Sequence, residues 1–433
     1  MSKIESLCQP LSGLITPPIK LPQSPGDPEY NIYTSFLGDL NYMRLFKNRN
    51  HGNPMKIDGS GGDTLIDNAR IKAMAEAVER YSSSVYSDDQ FIYASANELG
   101  DEALDLDSIP LLSDDEYNHP YCPLKRPDKD KKIRWVKGIS LTTQKEMYIP
   151  AVMVYLYIPY LNDDERFWLP ISTGCAIHEN YEKSIINSIN EVIERDAISL
   201  TWLNKLELPK LEINPEVLPE WCFDYYKRTE QHPFIQTYYF DATTDLGISS
   251  IYSLQVSKYN EKLTSMVMCT TELDPLIAFS KITREGASAR IALQNRTLKG
   301  NDFNQFYEVM DGALYMGQAS NASSFNFLKQ SESTSKLSEM KNLSTGSDQA
   351  DLKKLISILK KKGHEIFAVD LTTDEAKRAG LKATRVIIPS LQPLSFAYRA
   401  QFKGTSRLFQ APVNMGYKIR TEDQLNKNPQ PFA

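Results

Sequence analysis

The 433-residue chain has little cysteine and little histidine, five of each. Its cysteines (Cys8, Cys122, Cys175, Cys222, Cys269) are scattered and form no CxxC pair. An odd, dispersed set fits reduced thiols, and argues against both a disulfide framework and a thiolate zinc site. The histidines are equally dispersed and no HExxH occurs, so a His/Cys transition-metal centre is not expected. A basic excess is missing as well: 49 Lys+Arg against 55 Asp+Glu leave a net charge of −6, where a general nucleic-acid binder would carry a basic stripe. No run approaches the roughly 18 uncharged apolar residues of a membrane span. The opening MSKIESLCQPLSGLITPP has neither the apolar core nor the cleavage pattern of a signal peptide. A cytoplasmic protein with no membrane or nucleic-acid partner is expected. The phosphate-binding GxxxxGK[ST] is also absent, so a nucleotide site would have to be built another way.

What is present reads as an ordinary globular α/β protein, with 41% apolar and 24% charged residues. Residues 1–58, rich in proline and polar residues, read as an N-terminal arm, and residues 59–433 as the main domain. A Gly-rich turn at Gly59–Gly62, capped by Asp63 or Thr64, leads into a helix with apolar spacing at Ala69, Ala73 and Val78. Met147–Tyr160 reads as one or two buried strands, and Ser172–Trp202 as a second turn-then-helix unit. Residues 233–271 read as antiparallel strands with turns at Thr243–Gly247 and Lys258–Lys262. Pro275–Arg296 reads as a third helix and Ser320–Ser347 as a mobile polar insertion. Leu352–Lys362 and Asp374–Ala379 read as helices, Glu365–Leu371 and Ala383–Pro389 as strands.

The chemical signal lies in the carboxylates. Glu76-Ala-Val-Glu79-Arg80 and Glu191-Val-Ile-Glu194-Arg195 repeat one pattern on two helices. The glutamates sit at i and i+3, hence on one face, with arginine at i+4 from the first. Asn187 shares the face of the second helix. Most other positions on both helices are apolar, so the like charges are carried on largely buried helices and need neutralisation. Intrahelical Glu–Arg pairing on half-exposed faces is one explanation. The other is convergence on hard cations, Mg²⁺ beside phosphates, with arginines and Lys281 holding phosphate oxygens. Lys281, Glu285 and Arg290 on the third helix favour the second.

These motifs resemble the YcaO family. GGDTLIDNARIKAMAEAVERYS, STGCAIHENYEKSIINSINEVIERDAISLTW and AFSKITREGASAR follow its three signatures in order, and RVIIPSLQPLSF resembles a later one. The resemblance implies an α/β (α+β) fold of mixed sheets with the motif helices around an ATP cleft. It implies an ATP-dependent peptide cyclodehydratase. In such enzymes a Cys, Ser or Thr side chain of a ribosomal precursor peptide attacks the preceding carbonyl. Phosphorylation of the amide oxygen then lets phosphate leave, giving a thiazoline or oxazoline. The cofactors implied are ATP and Mg²⁺. By matching position, Glu76, Glu79, Glu191, Glu194 and Glu285 are the implied metal-binding lining, and Arg80, Asn187, Arg195, Lys281 and Arg290 the implied nucleotide partners. The alternatives are peptide thioamide formation and a non-catalytic scaffold with an ATP fold.

The chain departs from the family pattern at Gly61, Lys72, Lys281 and Ser288, and keeps every acidic position. Its end, Pro429-Gln430-Pro431-Phe432-Ala433, resembles the family's Pro-rich catalytic tail with the last proline replaced. Pro431 and the Ala433 carboxylate are therefore the implied catalytic elements of tail 421–433. The short N-terminal arm cannot house the leader-binding domain that some members carry. A separate leader-binding partner is expected, with a flavin-dependent dehydrogenase as a possible companion, in a homo-oligomer or hetero-complex.

Overall fold

Three sheets, built mainly by antiparallel pairing, pack with the motif helices in a computed structural model that describes residues 3–9, 13–39, 56–230 and 232–432. A three-stranded sheet joins β1 (Ile19–Lys20), β2 (Asn31–Asp39) and β3 (Lys56–Asp63). The largest sheet contains β4 (Phe91–Ala94), β5 (Ile133–Ser140), β6 (Glu146–Pro150), β7 (Cys175–His178), β13 (Phe367–Asp370) and β14 (Lys382–Ile387). Its order is β4-β5-β13-β14-β7, with β6 added to β5. The third sheet, ordered β11-β10-β9-β8-β12, comprises β8 (Lys210–Glu212), β9 (Gln236–Asp241), β10 (Ser250–Val256), β11 (Ser265–Thr271) and β12 (Thr334–Lys336). Only its β8–β12 pair runs parallel.

Three helices carry the motifs: α1 (Ile66–Ser82), α2 (Tyr181–Asn204) and α4 (Pro275–Gln294), with α3 (Glu220–Glu230) between the last two. The side chain of Asn180 caps α2, accepting the Lys183 N–H at 2.7 Å. Its 24 residues let α2 serve two cores. Ile186, Ile189 and Ile193 pack with Leu355, Val386 and Ile388, and Ala197 to Leu203 pack among Tyr252, Phe279 and Phe325. A left-handed Lys205 (φ 46°) ends the helix. The α/β class, the three motif helices and the strands within 233–271 agree with the sequence reading.

Four local expectations do not hold. Gly59–Gly62 is part of β3, paired with β2, and not a turn. The glycines are there because strand and helix touch backbone to backbone. A Cβ on Gly59 would stand 2.2 Å from the Ala77 nitrogen, and one on Gly61 2.3 Å from the Ala69 oxygen. Ala69, Ala73 and Ala77 form the matching small stripe on α1. Asp63 and Thr64 do not cap α1; Leu65 occupies that position without a side-chain bond. Asp63 instead accepts the Leu65 N–H at 3.0 Å and pairs with Lys72. The expected boundary between residues 58 and 59 thus falls inside a strand, and β1 and β2 of the expected arm complete the sheet under α1.

Met147–Tyr160 is a strand only to Pro150, after which Ala151–Val154 forms a helical turn buried on every side. A fully buried short segment carries no periodicity that separates helix from strand. Ser320–Ser347 is built into the core: Phe325, Leu328, Leu337 and Leu343 are buried, and the Phe325 ring lies 5.4 Å from Trp202. Its polar composition hides these widely spaced anchors.

The strand–helix contact makes a prediction. Gly61→Ala forces the β3 sheet away from α1 and should cost about 1–3 kcal/mol, the range of overpacked cores. Urea unfolding measures it. An unchanged midpoint would mean that the two elements are not tightly apposed.

Candidate active site

The cavity between the motif helices encloses about 490 Å³. Helix α1 contributes Glu76, Glu79 and Arg80, α2 contributes Asn187, Glu191, Glu194 and Arg195, and α4 contributes Lys281 and Glu285. Those nine of the expected residues come together. On each helix the glutamates, Asn187 and Lys281 lie three, four or seven positions from one another and share a face, with Arg80 and Arg195 each four after the first glutamate of its pair.

Three of the carboxylates are anchored by backbone N–H groups. Glu76 accepts the Ser60 N–H at 2.7 Å and pairs with Arg80 at 2.6 Å. Glu191 accepts the Gly174 N–H at 3.0 Å and pairs with Arg195 at 3.1 Å. Gly174 has φ +82°, the left-handed conformation that a glycine adopts freely, and so turns its N–H onto the helix. Glu194 accepts the Thr271 N–H at 3.1 Å, and lies 3.0 Å from Arg195 and 3.6 Å from Lys281.

The balance of charge leaves these acids in tension. Burial pushes the Glu79 carboxyl well above its usual range, and the neighbouring Glu191 and Glu76 push it further, against Arg80. Burial raises Glu194 to about 7 even though Lys281 and Arg195 oppose it. Lys281 itself is raised: burial works against its charge, but Glu194, Glu272 and Glu285 outweigh that.

Two contributors escaped the sequence reading. Glu272 lies 3.3 Å from Lys281 and accepts from Asn190 at 3.0 Å. It follows β11, outside every motif helix; a lone acid ending a wholly buried strand is the signal that could have found it. Arg284 stands 3.4 Å from Glu285 and lines the same cavity. Its place three residues after Lys281 was sufficient to locate it.

Arg290 is the exception among the expected nucleotide partners. It lies nine residues beyond Lys281, about 180° round the helix, and lines a different recess beside Asp27. Of the tail, Pro431 and Phe432 are buried, and Phe432 lines the cavity with its ring 4.6 Å from the Arg195 guanidinium. Asn426 and Asn428 tie the tail to the end of α2 through Leu203 and Trp202. Ala433 lies outside the described residues.

The donor set suits a hard divalent ion and phosphate: carboxylate oxygens on one side, guanidinium and ammonium groups on the other. Among the described residues, no three acidic, His or Cys side chains converge closely enough to cage an ion by themselves. Phosphate oxygens or water would have to complete the shell, as is usual for Mg²⁺. The raised acids supply the reason to bind a cation, since it would relieve their repulsion.

The raised acids also predict a pH dependence. A carboxyl whose folded-state pKa exceeds its unfolded value stabilises the fold fully below the unfolded value, here near 4.5, and loses that contribution as pH rises through about 7 for Glu194. Glu79 shifts in the same direction. Glu79→Gln should therefore melt above the wild type at about pH 8, by at least about 2 °C, with the gap closing near pH 5. Scanning calorimetry in the absence of nucleotide and metal reads this; a gap independent of pH would contradict it.

Residues 61–392 match the profile of a family described as YcaO cyclodehydratase, ATP- and Mg²⁺-binding. An uncharacterized protein of Methanothermobacter thermautotrophicus is 27% identical over 332 residues, 76% of this chain and 79% of that one. Among solved structures, a heterocyclase in complex with substrate and cofactor superposes with a TM-score of 0.80 at 22% identity, over 99% of this chain and 56% of that one. This chain thus spans little more than half the length of that heterocyclase. YcaO from Methanopyrus kandleri bound with AMPPCP and Mg²⁺ gives a TM-score of 0.61 at 16% identity, covering 87% and 86%. The E. coli microcin synthetase McbBCD complex gives 0.63 at 14%, covering 96% of each chain. At these identities the structural likeness is one of fold. No described helix is long and apolar enough to cross a membrane.

Proposed function

We propose that this chain, which belongs to the YcaO family and shares that family's binding of ATP and Mg²⁺, is a peptide cyclodehydratase that forms azolines from Cys, Ser or Thr residues of a ribosomal precursor peptide. The observation that carries the reading is the meeting of Glu76, Glu79, Glu191, Glu194 and Glu285 with Arg80, Arg195 and Lys281 in one cavity. Such an array suits phosphoryl transfer, in which charge neutralisation and positioning do most of the catalysis.

The chemistry follows from the leaving group. An amide oxygen leaves poorly. The side-chain thiol or hydroxyl would give its proton to the tail carboxylate as it adds to the preceding carbonyl carbon, and the tetrahedral oxyanion formed would take the γ-phosphoryl group of MgATP, with ADP departing. The amide nitrogen then expels phosphate and loses its proton, closing the azoline. Lys281, Arg195, Arg80 and Arg284 would hold phosphate oxygens. The glutamates would hold the metal, with Glu194 and Glu79 ionised once a cation offsets their burial. Phe432 covers one face of Arg195. Pro431 stiffens the tail that presents this ring, and the Ala433 carboxylate at its end is the proposed proton acceptor.

Partners follow the same reading: the precursor peptide, a leader-binding protein and a flavin-dependent dehydrogenase that would oxidise azolines to azoles. A cytoplasmic setting suits all of these.

The test is direct. A peptide labelled with oxygen-18 at the carbonyl before a cysteine is incubated with the protein, MgATP and the leader-binding protein. The peptide should lose the mass of one water, and the label should appear in inorganic phosphate. Exchange of oxygen for sulfur would instead identify thioamide formation, and an unaltered peptide with bound ATP a scaffold. Glu191→Gln should abolish this ATP turnover, by at least about 10²-fold, while circular dichroism shows the fold retained; wild-type turnover in the variant would overturn the assignment.

The tail separates from the metal site. Phe432→Ala should cut cyclisation by at least about tenfold and leave ATP affinity within about threefold, because the glutamates are untouched. Equal losses in both would remove the tail from the chemistry.

A further inference from the structure

Arg290 is almost wholly buried, 1% exposed, yet among the described residues none of its guanidinium nitrogens has a hydrogen-bond partner. Its nearest acid, Asp27, approaches Nε only to 4.0 Å and spends its oxygens elsewhere, on the Ser24 N–H at 3.1 Å and Gln294 at 3.4 Å. A buried guanidinium left without acceptors is costly, and surrounding groups relieve little of that cost here.

The side chain lines an open recess of about 670 Å³ on the far side of α4 from the carboxylate cavity. Lys262 and Glu261 stand in the wall, and Phe234 and Tyr259 form another part of it, their rings edge to face at 5.9 Å. Both rings are exposed, Tyr259 by 79%. The recess thus combines an unsatisfied fork of donors, buried beneath its surface, with apolar, accessible walls.

We propose that this recess docks an acidic side chain of a peptide, its carboxylate on Arg290 and its apolar neighbour against Phe234 and Tyr259. Arg290 presents planar paired donors that match a carboxylate. Asp27 and Glu261 balance Arg290 and Lys262, which favours a singly charged carboxylate over a doubly charged phosphate. The site is separate from the nucleotide cavity, and its occupancy does not depend on the reaction proposed above.

The probe is fluorescein-labelled Phe-Glu-amide, followed by fluorescence polarisation with the full chain. Binding should weaken at least tenfold for the Phe-Gln-amide counterpart. Acetate, which has the carboxylate without the peptide, and inorganic phosphate should both compete poorly. Arg290→Gln should erase the preference for Glu over Gln. Asp27→Asn, which keeps the side-chain acceptor for Ser24 and removes the competing charge, should tighten the Glu probe at least threefold while leaving binding of a fluorescent ATP analogue unchanged. Equal binding of Glu and Gln probes, better competition by phosphate or acetate than by unlabelled Phe-Glu-amide, or no tightening in Asp27→Asn would each overturn the proposal. Should Arg290→Gln not fold, the Asp27→Asn and Glu/Gln comparisons decide alone.

Discussion

Arg195 and Lys281 hold together a set of carboxylates that would otherwise repel one another. Arg195 reaches both Glu191 and Glu194, and Lys281 reaches both Glu194 and Glu272, so α2, α4 and the end of β11 share two cations. Buried ion pairs of this sort contribute little net stability, because desolvation offsets their attraction. Breaking one partner away, however, strands a charge. The network therefore fixes how α2, α4 and the end of β11 face one another more than it adds to the free energy of folding. The acids left raised, Glu79 and Glu194, mark where the neutralisation is incomplete and where a cation is wanted.

That arrangement needs a frame able to keep charged helices close. Part of it is small-residue packing, with the glycines of β3 against the alanines of α1 bringing Ser60 N–H within reach of Glu76. Part of it is a second ion cluster behind α2. There Arg407, on the helix Arg407–Asn414, binds Asp196 with two bonds of 2.6 Å and Asp245 at 3.0 Å. Asp196 also accepts the Gln392 N–H at 2.8 Å. Five residues after Glu191 and on another face of the helix, Asp196 locks the rotation of α2, so that its glutamates point into the cavity.

The tail completes the enclosure. Asn426 donates its backbone N–H to the Leu203 carbonyl at 2.7 Å, an acceptor left over at the end of α2, and its side chain to the Trp202 carbonyl, which also accepts the Lys205 N–H. The same contacts bring Phe432 onto Arg195. The cap of one motif helix and the covering of its arginine are thus a single piece of chain.

The acidic and basic faces are set by local spacing alone. The spacing Glu76–Glu79–Arg80 and Glu191–Glu194–Arg195 is local, and helical periodicity projects it without help from the rest of the chain. The three motif helices and the antiparallel strands of 233–271 were legible for the same reason. Which faces meet depends on packing between distant segments. Glu272 joins the site through strand pairing and Arg290 leaves it through half a turn of helix, and neither depends on composition nearby. Gly59–Gly62 reads as a turn because glycine permits one. It is a strand because a helix backbone lies against it, a contact made with residues further along the chain. Ser320–Ser347 is packed because Phe325 finds Trp202, more than a hundred residues away in sequence. Long-range burial outweighs local propensity in each of these places.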